Sequence, residues 1–455
     1  MSSSSISSGR IWPIVLKLAL PAMFAQFINV LYSIVDRIYI AKMPVVGDFA
    51  LAGVGIVAPI CTLITSFSYL IGLGGAPLMA MSLGENNNDN AKKILSNSFL
   101  ALLILGIIIP LIILLSYEPL LYFFGASDNT FQFAKDYLLI YLIGAPFALM
   151  SLGLNQFIIS QGYSTKGMLT MLIGAIVNII LDPIFIFSLN MGVKGAALAT
   201  TISQIISFIY VFIILISKYS NVKIGFKGYS LKIIGRVSRL GFSPFLIGMT
   251  DSLISIVLNI SIKLYSKENV DTYITVATLT NTFFQMFSMP LLGISSGTGS
   301  ILSFNFGARN VTRVKKSEFT ILKLALIFTT MATILSFVIS KPFLKIFTDD
   351  VIITNETLKM IRIFMSGFII LSFQYCFVDG LTALGKAKYA VTLSLIRKIS
   401  MILLTLLLPL LLGINGCFYA ELISDISASI ITLIVFLSVF NKILNTRKNS
   451  KENVI

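Results

Sequence analysis

Two aspartates stranded in long apolar stretches are the residues of this chain best suited to chemistry. Asp36 closes the series Asn29, Tyr32, Asp36, whose spacing of i, i+3 and i+7 puts one polar stripe on a helix. Asp182 follows Asn178 by one turn in Asn178-Ile-Ile-Leu-Asp182-Pro183. An ionisable side chain at the centre of a membrane helix costs at least about 2.5 kcal/mol, so it is turned inward and marks an ion pathway. Pro183 lacks a backbone donor and frees a carbonyl one turn earlier, a further ligand for a cation. Carboxylate, amide and carbonyl oxygens of this kind bind a proton or a small cation.

The second half has intramembrane acids of its own, Asp251 in mid-span and Glu421 with Asp425 one turn apart. The ionisable residues in mid-span are mostly acids, which favours a cationic cargo. Asp379 lies near the inner end of its span and reads as interfacial. Phe283, Met286, Phe287 and Met289 form an apolar cluster of the kind that repacks around varied ligands, a cleft lining for which plain core packing is the competing reading.

The elements that position these residues are membrane helices. With 455 residues, 56% of them hydrophobic and 12% charged, the chain has more apolar surface than a soluble core can hide. Histidine is absent, and Cys61, Cys376 and Cys417 lie in or beside apolar stretches, which excludes a Cys/His zinc site and a disulfide framework. No HExxH and no paired acids on an aqueous loop point to an enzyme, nothing resembles a selectivity filter, and no cofactor is implied. The start of the chain, Met1 to Arg10, is Ser-rich and shows no cleavable signal peptide.

Apolar runs long enough to cross a bilayer, roughly 20 residues, predict spans at 13–41, 51–81, 94–116, 133–161, 166–189 and 193–217, then at 240–264, 273–303, 318–340, 357–383, 389–412 and 414–441. The expected fold is therefore an all-α membrane protein of twelve transmembrane helices in two six-helix lobes. The expected units are an N-terminal lobe (1–217), a basic linker (218–239), a C-terminal lobe (240–441) and a tail (442–455). The linker carries Lys218, Lys223, Lys227, Lys232, Arg236 and Arg239 without an acid, and the tail carries Lys442, Arg447, Lys448 and Lys451. Loops on the other side mix signs, as with Asp349, Asp350, Glu356 and Lys359. The positive-inside rule then puts both termini and the linker in the cytoplasm. The net charge of +15 reflects this asymmetry and anionic lipid at the inner leaflet, with no nucleic-acid motif. In that topology Asp36, Asp182 and Thr200 of the sixth span all fall about 10 Å beneath the outer surface, so with Asn178 they share one pocket.

The chain also repeats itself. Residues 18–93 overlay 241–316 at a constant offset of 223, which pairs Pro21 with Pro244, Gly74 with Gly297 and Gly84 with Gly307. Asp36 falls on Asn259, and at the slipped offset of 221 near the ends of the halves Thr200 falls on Glu421. A parallel repeat of six spans is the architecture of a transporter whose halves rock against each other.

Five segments carry a resemblance: Pro21 through Asp36 to Ile40, Asn178 to Ile186, Gly195-Ala-Ala-Leu-Ala-Thr200, Met289 to Gly293 with Asn305-Phe-Gly307-Ala, and Gly380-Leu-Thr-Ala-Leu-Gly385-Lys. Their ordered set resembles the multidrug and toxic compound extrusion (MATE) family over nearly the whole chain. The resemblance implies two six-helix lobes around a central cleft, a monomer in the plasma membrane, and export of organic cations and amphipathic drug-like compounds in exchange for H⁺ or Na⁺. In the DinF-like branch the positions matching Asp36, Asn178, Asp182 and Thr200 form the proton or cation site. The NorM-like branch places a sodium-binding carboxylate where this chain has Leu371, so a NorM-type site in the C-lobe is not expected. A flippase of lipid-linked sugars or cell-wall precursors stays open as the alternative; it would line its cleft with bases for pyrophosphate. Under the exporter reading, Asp36 and Asp182 hold one proton between them, and protonation from outside releases cargo, with Pro21 as a flexible point of the first helix.

Overall fold

A computed structural model describes residues 9–43, 47–124, 126, 128–266, 270–348 and 350–449. Most of the Ser-rich start, Asp349 of the outer loop and the end of the tail with Lys451 lie outside the described residues. Among the described residues twelve long helices follow one another: α1 Ile11–Ala41, α2 Gly47–Gly84, α3 Asn88–Leu115, α4 Asp128–Ser160, α5 Ser164–Pro183, α6 Val193–Ile216, α7 Leu231–Tyr265, α8 Val270–Gly307, α9 Val311–Leu344, α10 Val351–Ala383, α11 Ala387–Leu407 and α12 Ile414–Asn449. Short helices at Tyr117–Phe123 and Pro409–Leu412 fill the turns after α3 and α11.

Eleven of the twelve are long and apolar enough to cross a membrane. The exception is α8, where Thr, Ser, Asn and Gly interrupt the apolar run. Its neighbours explain this: α8 packs on α1 and α2 of the first half and on α9 and α10 of its own, so protein replaces lipid around it. The outward faces are the reverse. On α3, Ile104, Ile107, Ile108, Leu111, Ile112 and Leu115 form an exposed aliphatic stripe that only lipid can cover. The chain is an integral, multi-pass membrane protein.

The hydropathy reading is furthest off at two boundaries. Helix α7 starts at Leu231, inside the expected 218–239 linker, and α12 continues past 441 to Asn449. Polar ends of membrane helices extend beyond the bilayer without leaving a hydropathy signal, and α12 is also tied down at Arg447, as described below. Pro21 sits within an unbroken α1.

The two sets of six helices share one packing scheme. Contacts α2–α4, α4–α6, α1–α5 and α5–α6 in the first are matched by α8–α10, α10–α12, α7–α11 and α11–α12 in the second. Corresponding turns also agree: Asn86 and Arg309 both take positive φ (58° and 59°), and Asn87 and Asn310 both cap the following helix, accepting from Asn90 N and Arg313 N.

The halves meet through α2–α7, α1–α8 and α2–α8. In lipid, helices associate through close packing rather than a hydrophobic drive, so small residues gather at such crossings. A Cβ on Gly84 would lie 2.0 Å from the Phe304 carbonyl oxygen, and one on Gly307 would lie 2.0 Å from that of Met81. Arg447 of α12 donates to the Phe306 and Gly307 carbonyls (both 3.1 Å) and pairs with Glu85, which follows α2. The lobes are thus closed together at the end of the bundle that carries the basic 218–230 loop.

Candidate functional site

Helix α1 lies beside α5, and this contact brings Asp36 and Asp182 within hydrogen-bonding reach of each other. Asp182 is fully buried and Asp36 half-buried. Asn178 sits one turn before Asp182; its amide donates to Asp182 Oδ1 at 3.2 Å and to Thr200 Oγ1 at 3.4 Å. Asp36 Oδ1, Asp182 Oδ2 and Asn178 Oδ1 are buried acceptors without a donor. Two facing carboxylates that are both ionised repel and leave acceptors empty. One proton between them removes the repulsion and supplies the missing donor.

Local chain geometry sets this up. Because Pro183 has no N–H, α5 cannot continue in register, and the next turn is widened: Leu189 N reaches back to Ile184 O at 2.9 Å and Met191 N to Phe185 O at 3.0 Å. Helix α6 abuts this turn closely, since a Cβ on Gly195 would sit 2.7 Å from the Phe185 carbonyl carbon. That contact carries Thr200 to Asn178.

Other members of the cluster come from helices the sequence reading left out. Tyr137 and Tyr141, buried and stacked at 6.3 Å on α4, point inward; the Tyr137 hydroxyl reaches Thr200, while Tyr141 reaches Cys61 and Gln204. Two tyrosines at i and i+4 inside an apolar span were the available signal. Tyr32 neighbours both carboxylates. Asn29 is half-buried and stands about 10 Å along α1 from Asp36, outside the carboxylate cluster. Arg37 is exposed.

The second half differs. Asp251 pairs with Lys398, and Arg397 pairs with both Asp425 (Nε to Oδ1, 2.7 Å) and Glu421 (Nη2 to Oε1, 3.4 Å). Ser424 donates to the Arg397 carbonyl at 2.9 Å, and the guanidinium lies 5.9 Å from the centre of the Tyr375 ring. The expectation that mid-span charges are mostly acidic is therefore corrected: α11 contributes two bases, Arg397 and Lys398, that pair with the three C-lobe acids. A pair of adjacent bases inside the 389–412 span was the signal missed.

Two further expectations change. Phe283 and Phe287 are buried (1% and 9% exposed) and packed on each other at 5.4 Å, with Phe283 also on Phe343 at 5.2 Å, so they belong to the core rather than a cleft wall. Met286 is half-buried against that core, and Met289 is half-buried. Asp379 is not interfacial: Ser295 Oγ donates to it at 2.5 Å, and it lines a cavity of ≈ 50 Å³ between the lobes with Leu73, Pro77, Pro244 and Ile247.

The pattern that defines the MatE family matches residues 21–184 and again 245–407. This chain belongs to the MatE family. Among its relatives, the multidrug export protein MepA of Staphylococcus saprophyticus is 24% identical over 414 residues, covering 90% of this chain and 89% of that protein. MepA of Staphylococcus haemolyticus is 25% identical over 423 residues, 91% of each. A solved multidrug resistance MATE family transporter of the MOP superfamily, in an outward-facing conformation, superposes with a TM-score of 0.91 at 22% identity, over 98% of this chain and 99% of that one. The twelve-helix, two-lobe architecture is that of MatE proteins.

Proposed function

We propose that this MatE-family chain is a secondary active efflux antiporter. It exports organic cations or amphipathic drug-like compounds in exchange for H⁺, with Na⁺ as the other candidate ion. The observation that carries the reading is the facing pair Asp36 and Asp182, with buried acceptors left open for one proton. Asn178 and Thr200 hold Asp182 in place, and Tyr32 and Tyr137 wall the pocket, an arrangement of the DinF-like kind. The MepA relatives, named as multidrug export proteins, support the cargo class.

The basic end of the bundle faces the cytoplasm by the positive-inside rule, so both termini are cytoplasmic and the carboxylate pair lies toward the outside of the plasma membrane. A proton arriving from outside removes negative charge from the first lobe and weakens its hold on a cationic substrate. The units 1–217 and 240–441 rock against each other as the lobes of a monomer. Moving one elementary charge across 100 mV supplies about 2.3 kcal/mol, to which any pH gradient adds. Arg397 and Lys398, each held by carboxylates, offer no free charge to a pyrophosphate, which favours export over a flippase.

Efflux of a fluorescent organic cation from vesicles, with pH and Na⁺ gradients imposed separately, tests the proposal. Efflux driven by the pH gradient is expected. Efflux driven by Na⁺ alone moves the coupling ion to Na⁺, and no efflux of any cation promotes the flippase.

A further inference from the structure

A second pair of acids lies at the opposite depth of the molecule, in the other half. Glu318 stands two turns into α9 and Asp379 one turn from the end of α10, so both sit toward the basic end, away from Asp36 and Asp182. Glu318 is 1% exposed, and neither of its carboxylate oxygens has a hydrogen-bond partner. The backbone is shaped around it. A Cβ on Gly380 would come within 2.6 and 2.7 Å of the two Glu318 oxygens, so the carboxylate occupies the place of a side chain, directly beside Asp379. Asp379 in turn reaches the cavity between the lobes and accepts from Ser295.

Among the described residues no base is paired with Glu318. Lys17 on α1, Lys315, Lys316 and Lys323 on α9 and Lys442 on α12 are exposed, Lys386 after α10 is half-buried, Arg447 on α12 pairs with Glu85, and Arg313 donates to Asn305 and to the Gly9 carbonyl. Cys376 on α10 is the other titratable group beside the pair. A buried carboxylate with no counter-ion and no donor is too costly to keep ionised, so it carries a proton. Asp379 links it to the cavity.

We propose that Glu318 and Asp379 form a second proton-binding site, in the C-lobe, that exchanges its proton with the cytoplasm through the interlobe cavity when the lobes, closed together at the basic end here, part at that end. Asp379 takes the proton from water in the cavity and passes it on to Glu318 through an intervening water, with only O–H bonds made and broken. This rests on the proton-coupled reading above and adds to it a point of exchange with the cytoplasm.

Two measurements on the full-length protein test it. An apolar carbodiimide, dicyclohexylcarbodiimide, reacts with protonated carboxyls in apolar surroundings; peptide mass mapping near neutral pH is expected to find the adduct on Glu318. In everted vesicles, with lumenal pH fixed, the efflux rate should change up to about tenfold per unit of cytoplasmic-side pH, as one linked proton requires. Glu318→Gln should flatten that response to less than about twofold while keeping the response to lumenal pH. A Glu318 left unlabelled, or a Glu318→Gln protein with the unaltered cytoplasmic-side response, overturns the proposal. If Glu318→Gln does not fold, labelling of the unaltered protein decides. If the unaltered protein shows no pH-driven efflux, the antiport reading fails on its own, and labelling still reports whether this site holds a proton.

Discussion

In the first half, α1, α5 and α6 bring Asp36, Asp182, Asn178 and Thr200 together, and the neighbouring base, Arg37, is exposed and forms no ion pair with them among the described residues. In the second half the matching helices α7, α11 and α12 bring Asp251, Glu421 and Asp425 together around Lys398 and Arg397. The helix contacts, the capping asparagines and the left-handed turns correspond, so the scaffold cannot be the source of the difference. The difference lies in charge balance. An acid pair with open acceptors can change its proton occupancy cheaply; acids paired with cations are held in place by them.

The largest expected effect breaks the first cluster. Asp36→Asn and Asp182→Asn should each reduce proton-driven efflux at least about tenfold, to the vesicle background, since each removes one member of the shared-proton pair. Thermal unfolding in detergent should be unchanged, because an amide matches the carboxyl in size and supplies the donor that the shared proton supplied. Second in size is Arg397→Leu, which strands Glu421 and Asp425 without their cation. Breaking a buried pair in this way costs about 3–5 kcal/mol, read as a markedly lower melting temperature. Equal melting of Arg397→Leu and the unaltered protein would remove the contrast between the halves. Lys398→Leu should cost less, because its partner Asp251 has a side chain 54% exposed and water can replace the lost cation. Smallest is Asn259→Asp, which returns an acid to the repeat mate of Asp36 at an exposed position; efflux and its pH response should stay within about twofold.

Asp36 and Asp182 were legible in the sequence because an acid inside an apolar run has few places to go, and the first and fifth spans run the same way with each aspartate near the outer end, which put both at one depth. The bases were not. Arg397 and Lys398 have long side chains that read as reaching toward an interface, and only the packing of α11 on α7 and α12 shows where their charges end. Glu318 was hidden for a related reason, standing at the first residue of an expected span, where hydropathy cannot tell water from a buried niche opposite a glycine. Phe283 and Phe287 could not be placed by periodicity alone, since a core face and a cleft face share the same spacing. The 273–303 run was read as a span and α8 covers it, although a helix wrapped in protein needs less apolar surface than one wrapped in lipid.

The most direct test follows protons rather than drug. In vesicles with an imposed pH gradient reported by an internal dye, adding substrate should collapse the gradient through the unaltered protein. Glu421→Gln should retain this response, and Asp182→Asn should abolish it while still melting as a folded protein. Substrate-dependent collapse that persists in Asp182→Asn, or that is lost in a folded Glu421→Gln protein, would contradict the assignment of coupling to the first lobe.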